Sequence, residues 1–556
     1  MRQTTLSVTL EVQPESAGRL ASLIDDLRKF EESPNSGYPE QYGRLTSKVP
    51  ALHFMSISVF PSAEYDPLFV IEANFDGEPG PFFAQIEAAL GNELRPMLRC
   101  CKRPSDSTGD IYDEVTTGGS RYSLAEYLEA RTIRPSVFHH GNRGLDRKRI
   151  LEEGKLFRAT RVELAKSDPS KPNPYRAMSA EQIHAGLRAA LQRDFAWLND
   201  PAPARIPAAE RAADLLRLAA FVFVLLACLS IPGGVLALLA RTPAFLVITA
   251  VAAALVYAFL YRMRAPLPGK GAPMPSGGLT PASLSMKNEF TSFANPVTLV
   301  AVVVVVLALY VALATLVGAA VMVPLSGLPY KALLWPTFRI VGLGLASAIV
   351  FVLPAIVLWL RWLERRDSSH DAPSIDPDLL RAMARREDRI AQNHMGSIVL
   401  VKPGVLRMAL FRTGHLALGL ILRVIATDGY LGSMRTIHFA HWAFVNNGSR
   451  LMFFSNFDHS WESYLDDFIE KAHGGLTLAW SSGVGFPPAR FLVLDGASHG
   501  RKFKAWARHS MAVSRFWYSA YKNYTADQIE RHARIAGGLR KATLTEKEAA
   551  AWVRDL

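Results

Sequence analysis

The stretch Leu451–Ala472, LMFFSNFDHSWESYLDDFIEKA, has a fainter relative at Leu68–Leu90, LFVIEANFDGEPGPFFAQIEAAL. Each gives an apolar run, then Asn-Phe-Asp, then a segment of helical spacing with an aromatic six residues after the Asp, Phe82 in one and Tyr464 in the other. Upstream of each lies a second shared piece, Leu52-His53-Phe54 and Ile437-His438-Phe439. The chain thus carries two related soluble pieces, one on either side of its most apolar block.

Working outward, residues 4–12 alternate like a strand, 16–30 have helical spacing, 52–60 and 67–73 read as two strands, and 80–90 as a helix. A last strand is expected near 96–102. That order, β-α-β-β-α-β, is the split βαβ or ferredoxin-like plan. The second half repeats it, with a strand at 397–401, a helix at 405–426, strands at 436–445 and 450–457 around Asn446-Asn447-Gly448, and a helix at 461–472. A further short strand is expected at 491–494. A four-stranded sheet with helices on one face must cover its other face. Two such halves can cover each other as a pseudo-dimer.

The 556 residues are 49% hydrophobic and 20% charged, and the apolar excess falls almost wholly between Leu215 and Leu360. Four runs there, 218–240, 243–260, 296–330 and 340–360, lack Asp, Glu, Lys and Arg. A bilayer crossing needs roughly 20 such residues. Ile231-Pro232-Gly233-Gly234 is expected to kink or break the first. Arg205, Arg211, Arg217, Arg262, Arg264, Lys270, Lys287, Arg361, Arg365 and Arg366 gather on one side, against Arg241, Lys331 and Arg339 on the other. Positive charge marks the cytoplasmic side. The expectation is a multi-pass protein of the inner (plasma) membrane with both termini cytoplasmic.

The expected class is therefore α+β plus transmembrane helices, with duplicated ferredoxin-like halves separated by a four-helix membrane block. Residues 1–200 form the first half with a helical extension. Residues 213–363 form the block, with a Pro/Gly-rich loop at 262–296 and a flexible stretch at 268–281. Residues 376–556, reached through a linker at 367–376, form the second half with its C-terminal helices. Three cysteines, Cys100, Cys101 and Cys228, give no disulfide framework and no Cys-based zinc site. The net charge of +12 is accounted for by membrane topology, and no nucleic-acid partner is expected. Without ionisable groups in the four apolar cores, the block reads as an anchor in lipid and not as a transporter.

These halves resemble the dimeric α/β-barrel superfamily, which includes DyP-type peroxidases and chlorite-dismutase-like haem proteins. DyP-type peroxidases carry a Gly-x-x-Asp-Gly motif whose Asp helps activate peroxide. The matching positions here are Ala73-Asn74-Phe75-Asp76-Gly77 and Ser455-Asn456-Phe457-Asp458-His459. The Asp is kept in both, the leading Gly in neither and the trailing Gly only in the first. The string FFSNFDHSWESYL is also similar to one in an uncharacterised bacterial membrane-protein family, which implies no activity. The resemblance implies a haem, or a similar flat apolar ligand, held between the halves, and peroxidase-like oxidoreductase chemistry if the protein is an enzyme. The competing reading is a non-catalytic, membrane-tethered sensor or scaffold.

On the haem reading Asp76 and Asp458 are the acid/base residues, with Arg435 or Arg450 as partner. On the plain reading they start helices. His53 and His438 hold matching places in the preceding strand. His438 is the candidate axial metal ligand, with His53, His441 and His394 as further cofactor-binding candidates. The plain reading of each is a hydrogen-bonded core residue. Residues 392–395, Gln-Asn-His-Met, read as a loop that lines a ligand or caps the 377–390 helix. His415 reads as a polar position on the outer face of its helix. The mixed cations and aromatics of 501–508 suit a helix near anionic lipid, and 517–521 read as packing or a lid over the sheet.

Overall fold

A computed structural model describes the chain apart from residues 1, 34–36, 39, 63–64, 106–108, 120, 167–172, 266–295, 370–374, 389 and 427–433. Most of the 262–296 loop, including Lys270, Lys287 and the 268–281 stretch, lies outside the described residues, as does part of the 367–376 linker.

The soluble part is built on two antiparallel sheets. Before the apolar block come β1 (Gln3–Glu11), β2 (Leu52–Phe60), β3 (Leu68–Asp76), the two-residue β4 (Thr132–Ile133) and β5 (Val137–His140). After it come β6 (Gln392–Leu400), β7 (Ile437–Val445), β8 (Arg450–Asp458) and β9 (Phe516–Ser519). The sheets have the orders β9-β2-β3-β1-β4 and β5-β7-β8-β6. Each half therefore gives an edge strand to the other's sheet: β9 pairs with β2 and β5 with β7. The segment 517–521, read as packing or a lid, instead contributes most of β9.

The inner strands are buried on both faces. Along β3, Phe69, Ile71, Ala73 and Phe75 join the core under α1 (Ala17–Glu32) and α2 (Pro79–Leu98). The alternate residues Leu68 and Val70 meet Met452 and Phe454 of the opposing sheet. Strand period thus sorts each strand into a helix side and a sheet side. The layers run helix, sheet, sheet, helix.

After β5 the chain enters α3 (Arg147–Leu164). The apolar block is α4 (Ala208–Leu239), α5 (Thr242–Met263), α6 (Pro296–Ser326) and α7 (Tyr330–Arg366). Helix α8 (Val405–Ile425) joins β6 to β7, α9 (Trp461–Trp480) follows β8, and α10 (Ala526–Arg540) follows β9. Helices α4 to α7, and α8 as well, are long and apolar enough to cross a membrane. Pro232 does not break α4. A Cβ on Gly233 would stand 2.5 Å from the Ser347 Cβ, so α4 and α7 approach backbone to backbone, as small residues in membrane helices allow.

Several boundaries differ from expectation. No strand forms at 96–102, because α2 runs on to Leu98 and only Cys101 bridges Val12. Residues 392–395 are the start of β6, held by pairing with β8, and the helix before them ends at Ala384. Helix α9 continues past a bend at Ala472 to Trp480. At 491–493 the chain makes a tight turn, with Phe491 and Leu492 at φ 54° and 64°, between strands of two residues each, the second of which starts at Leu494.

Candidate functional site

In both sheets the register slips one residue, between Leu52 and Phe54 and between Ile437 and Phe439. Such bulges re-aim a side chain, and here the bulged residues are His53 and His438. His53 Nε2 lies 3.0 Å from Asp76 Oδ2, and its Nδ1 lies 2.9 Å from the Tyr521 hydroxyl. His438 Nε2 lies 2.8 Å from Asp458 Oδ1. Its Nδ1 is buried with no partner among the described residues.

The carboxylates do a second job. Asp76 Oδ2 accepts a hydrogen bond from the Arg147 amide at 2.8 Å, and Asp458 Oδ2 accepts one from the Ala526 amide at 2.8 Å. These amides open α3 and α10, whose first N–H groups have no partner inside the helix. Sequence places each Asp before a helix, but the helix it secures starts 71 or 68 residues later. Two glutamines complete the match: Gln392, which sequence placed in a ligand-lining loop, and Gln3, which it did not single out. Gln3 Nε2 donates to the Asn142 and Leu145 carbonyls, and Gln392 Nε2 to those of Tyr521 and Tyr524. For Gln3 the one signal is position, since each glutamine faces its half's Asp across the first strand pair.

His53, Asp76, His438 and Asp458 converge, as the paired motifs suggested. The His53 ring lies 5.4 Å from Phe439, the His438 ring 5.2 Å from Phe54, and Tyr521 packs against both histidines. The space between the pairs is filled by these rings.

The arginines do not join them. Arg435 is largely exposed, 3.4 Å from Asp527. Arg450 sits at the opposite end of β8 from Asp458, under Tyr65. That separation is about 27 Å at the rise of a β-strand.

Beside this cluster, between the sheets, lies a second polar group, in which the candidates His394 and His441 lie near Glu72, a residue that sequence reading missed. Glu72 is fully buried and accepts hydrogen bonds from the Ser56 hydroxyl and from the Asn74 and Asn456 amides. Burial pushes its carboxyl up to about 7, against the hydrogen bonds, which lower it. The signal was a lone carboxylate inside the apolar run of β3, where the other copy has Phe454. His394 Nε2 lies 3.8 Å from Glu72 Oε2, and its Nδ1 is 2.7 Å from the Ser514 hydroxyl. Burial, with His441 nearby, brings His394 down to about 3, and burial brings His441 down to about 3. Both are neutral at physiological pH. His441 Nε2 bonds Ser7 at 3.0 Å. His415 is not on an outer face. It is fully buried, bonded to the Ser136 hydroxyl at 3.0 Å and the Ala479 carbonyl at 3.1 Å.

A cleft of about 800 Å³ opens alongside β9. Its walls include Tyr42, His394, Trp517, Tyr521 and Tyr524, and its charged lining is Arg28, Arg147, Lys155, Arg158, Arg386 and Lys522 with Glu32, Glu40 and Glu387. Arg28 pairs with Glu32 and Arg386 with Asp25. Arg147 is buried, donates to the Val49 and Thr46 carbonyls, and keeps an unpartnered Nε. Arg158 donates to the Tyr524 hydroxyl. Among the described residues Arg147, Lys155, Arg158 and Lys522 have no carboxylate partner. Glu32 and Glu387 are paired with Arg28 and Arg508, which leaves Glu40 against these four cations, so the cleft carries a surplus of positive charge over an aromatic wall.

A haem at the histidine cluster does not fit the residues as they are placed. Three of the four nitrogens of His53 and His438 face Asp or Tyr side chains, the fourth is enclosed, and Phe54 and Phe439 occupy the intervening space. Among the described residues no group of three or more His, Cys, Asp or Glu side chains is placed to hold a metal ion. Comparison with family models, curated proteins and solved structures finds no match for the chain.

Proposed function

We propose that the chain is a membrane-anchored binding module of the sensor type, whose cleft beside β9 receives a small organic anion with a flat apolar body. The observation that carries this reading is the set of four cations, Arg147, Lys155, Arg158 and Lys522, without carboxylate partners around an aromatic-lined cleft of about 800 Å³. A volume of that size suits a small organic ligand. The soluble module consists of two ferredoxin-like halves, duplicated and joined as a pseudo-dimer. The matching strand orders, the two bulges and the two Asp-held helices support that descent. The arginine distribution supports cytoplasmic termini at the plasma membrane.

The test is calorimetric titration of detergent-solubilised full-length protein with naphthalene-2-sulfonate, phenyl phosphate and benzoate. Saturable binding of at least one is expected. The Lys155→Glu/Lys522→Glu double variant, altered only at exposed positions, should weaken it about tenfold, or about 1.4 kcal/mol. Absence of saturable binding by all three would end this reading.

Haem binding is the second reading, supported by the meeting of two His–Asp pairs and the orphaned Nδ1 of His438. It requires the Phe54–Phe439 contact to part. A Soret band in the purified protein that weakens in His438→Ala is its expected mark, and a colourless preparation that cannot be reconstituted with haem removes it.

A further inference from the structure

We infer that α8 lies in the membrane plane and sets its apolar outer side into the lipid, so that the soluble module rests on the bilayer. By length and composition α8 could be a fifth crossing. Its neighbours exclude that, because β6 and β7 enter and leave it and belong to one sheet. A single crossing would put them on opposite sides of the bilayer.

Both ends of α8 are fastened to the module-side ends of the crossing helices. Near its start, Arg407 donates to the Leu363 carbonyl of α7 at 2.8 Å and lies 3.5 Å from Asp367. Near its end, Arg423 lies 3.4 Å from Asp214 of α4, and Arg143 ties the Arg423 carbonyl to the same Asp214. Leu363 is three residues beyond the fourth apolar run, and Asp214 four residues before the first. At about 1.5 Å per helical residue, both anchors stand roughly 5 Å above the apolar cores. The helix between them covers about 24 Å. It therefore runs nearly parallel to the bilayer surface, close to it.

The composition agrees. The side of α8 toward the second sheet buries Phe411, His415 and Leu422. A helix on a water-facing sheet shows a polar outer side. Here Val405 is 89% exposed and Leu416 51%, Ile421 and Ile425 are also exposed, and Leu410 and Leu420 are half-buried. Trp359 and Trp362, exposed near the end of α7, stand at the level where aromatic residues gather in membranes. A helix that lies in the interface with its apolar side in the acyl boundary has this placement.

The test uses the full chain in phosphatidylcholine/phosphatidylglycerol vesicles. A nitroxide is attached at Leu416→Cys in a Cys228→Ala background. The background alone controls for buried Cys100 and Cys101. Collisions with oxygen should exceed those with a water-soluble nickel chelate at 416, and the reverse should hold for a label at Tyr122→Cys. If Leu416→Cys fails to fold, Val405→Cys replaces it. Chelate collisions dominating at the α8 site would overturn the inference. So would spin–spin broadening that grows with protein-to-lipid ratio, which would make a second copy the occupant.

Discussion

Phe54 and Phe439 meet edge to face across the seam between the sheets, ring centroids 5.7 Å apart, and each packs against the histidine that precedes the other. The two halves touch through matching residues, so the seam has an approximate two-fold relation. Its energetic consequences can be measured.

Phe54→Ala removes a fully buried ring from that seam. The expected loss is about 3–5 kcal/mol in urea denaturation, with a similar value for Phe439→Ala. Because the rings are in contact, the double variant should lose less than the sum of the two. Strict additivity would show that the halves do not meet here.

Asp458→Ala deprives both His438 and the Ala526 amide of an acceptor. Breaking such a buried pair costs about 3–5 kcal/mol. Asp458→Asn keeps an acceptor oxygen for the amide and should cost less. Equal losses in the two variants would mean that the bond to α10 contributes nothing.

Glu72 gives the protein a pH dependence of definite sign. Its carboxyl is raised to about 7 in the fold from an ordinary value of 4.5. Between those values the folded state holds a proton that the unfolded chain has released, so stability falls as pH rises. The contribution is fully present below about pH 4.5 and is lost up to about pH 7, with a total of about 3 kcal/mol. The difference in urea midpoint between the parent and Glu72→Gln should be larger at pH 5 than at pH 8, the buried neutral histidines favouring higher pH in both proteins alike. A difference that is larger at pH 8 would reverse the assignment.

Truncation before residue 512 removes β9 and leaves the edge of β2 unpaired. An exposed edge strand is a template for further pairing. The truncated protein should form larger species by light scattering at concentrations where the full chain is monodisperse. Unchanged scattering would mean that β9 is dispensable to that edge.

What was legible in the sequence was local. The strand 52–60 could be bounded to the residue because it alternates and ends in a turn, and the crossing helices announce themselves by length and apolarity alone. The Asn-Phe-Asp repeat pointed to the four residues that do converge. The strand exchange was hidden because β5 and β9 are four residues each and find their partners far away in sequence, where no period reports them. Gln392–Met395 read as a loop because a polar strand between two sheets looks hydrophilic until its buried partners are known. His415 was misplaced for a similar reason: its bonds reach Ser136 and Ala479, which its own helix does not foretell. Arg435 was offered as a partner for the Asp residues, and β7 and β8 do bring it beside Asp458, whose amide donates to the Thr436 carbonyl, but its side chain lies outside, near Asp527.

The exchanged strands also fix an order of events during synthesis. Phe516 must pair with Ile57, yet every bilayer-crossing helix emerges from the ribosome between them. The first sheet cannot close until translation is nearly finished and the translocon has taken up the intervening segments. For that whole interval the nascent amino-terminal half holds an open flank, so the cell must shield it.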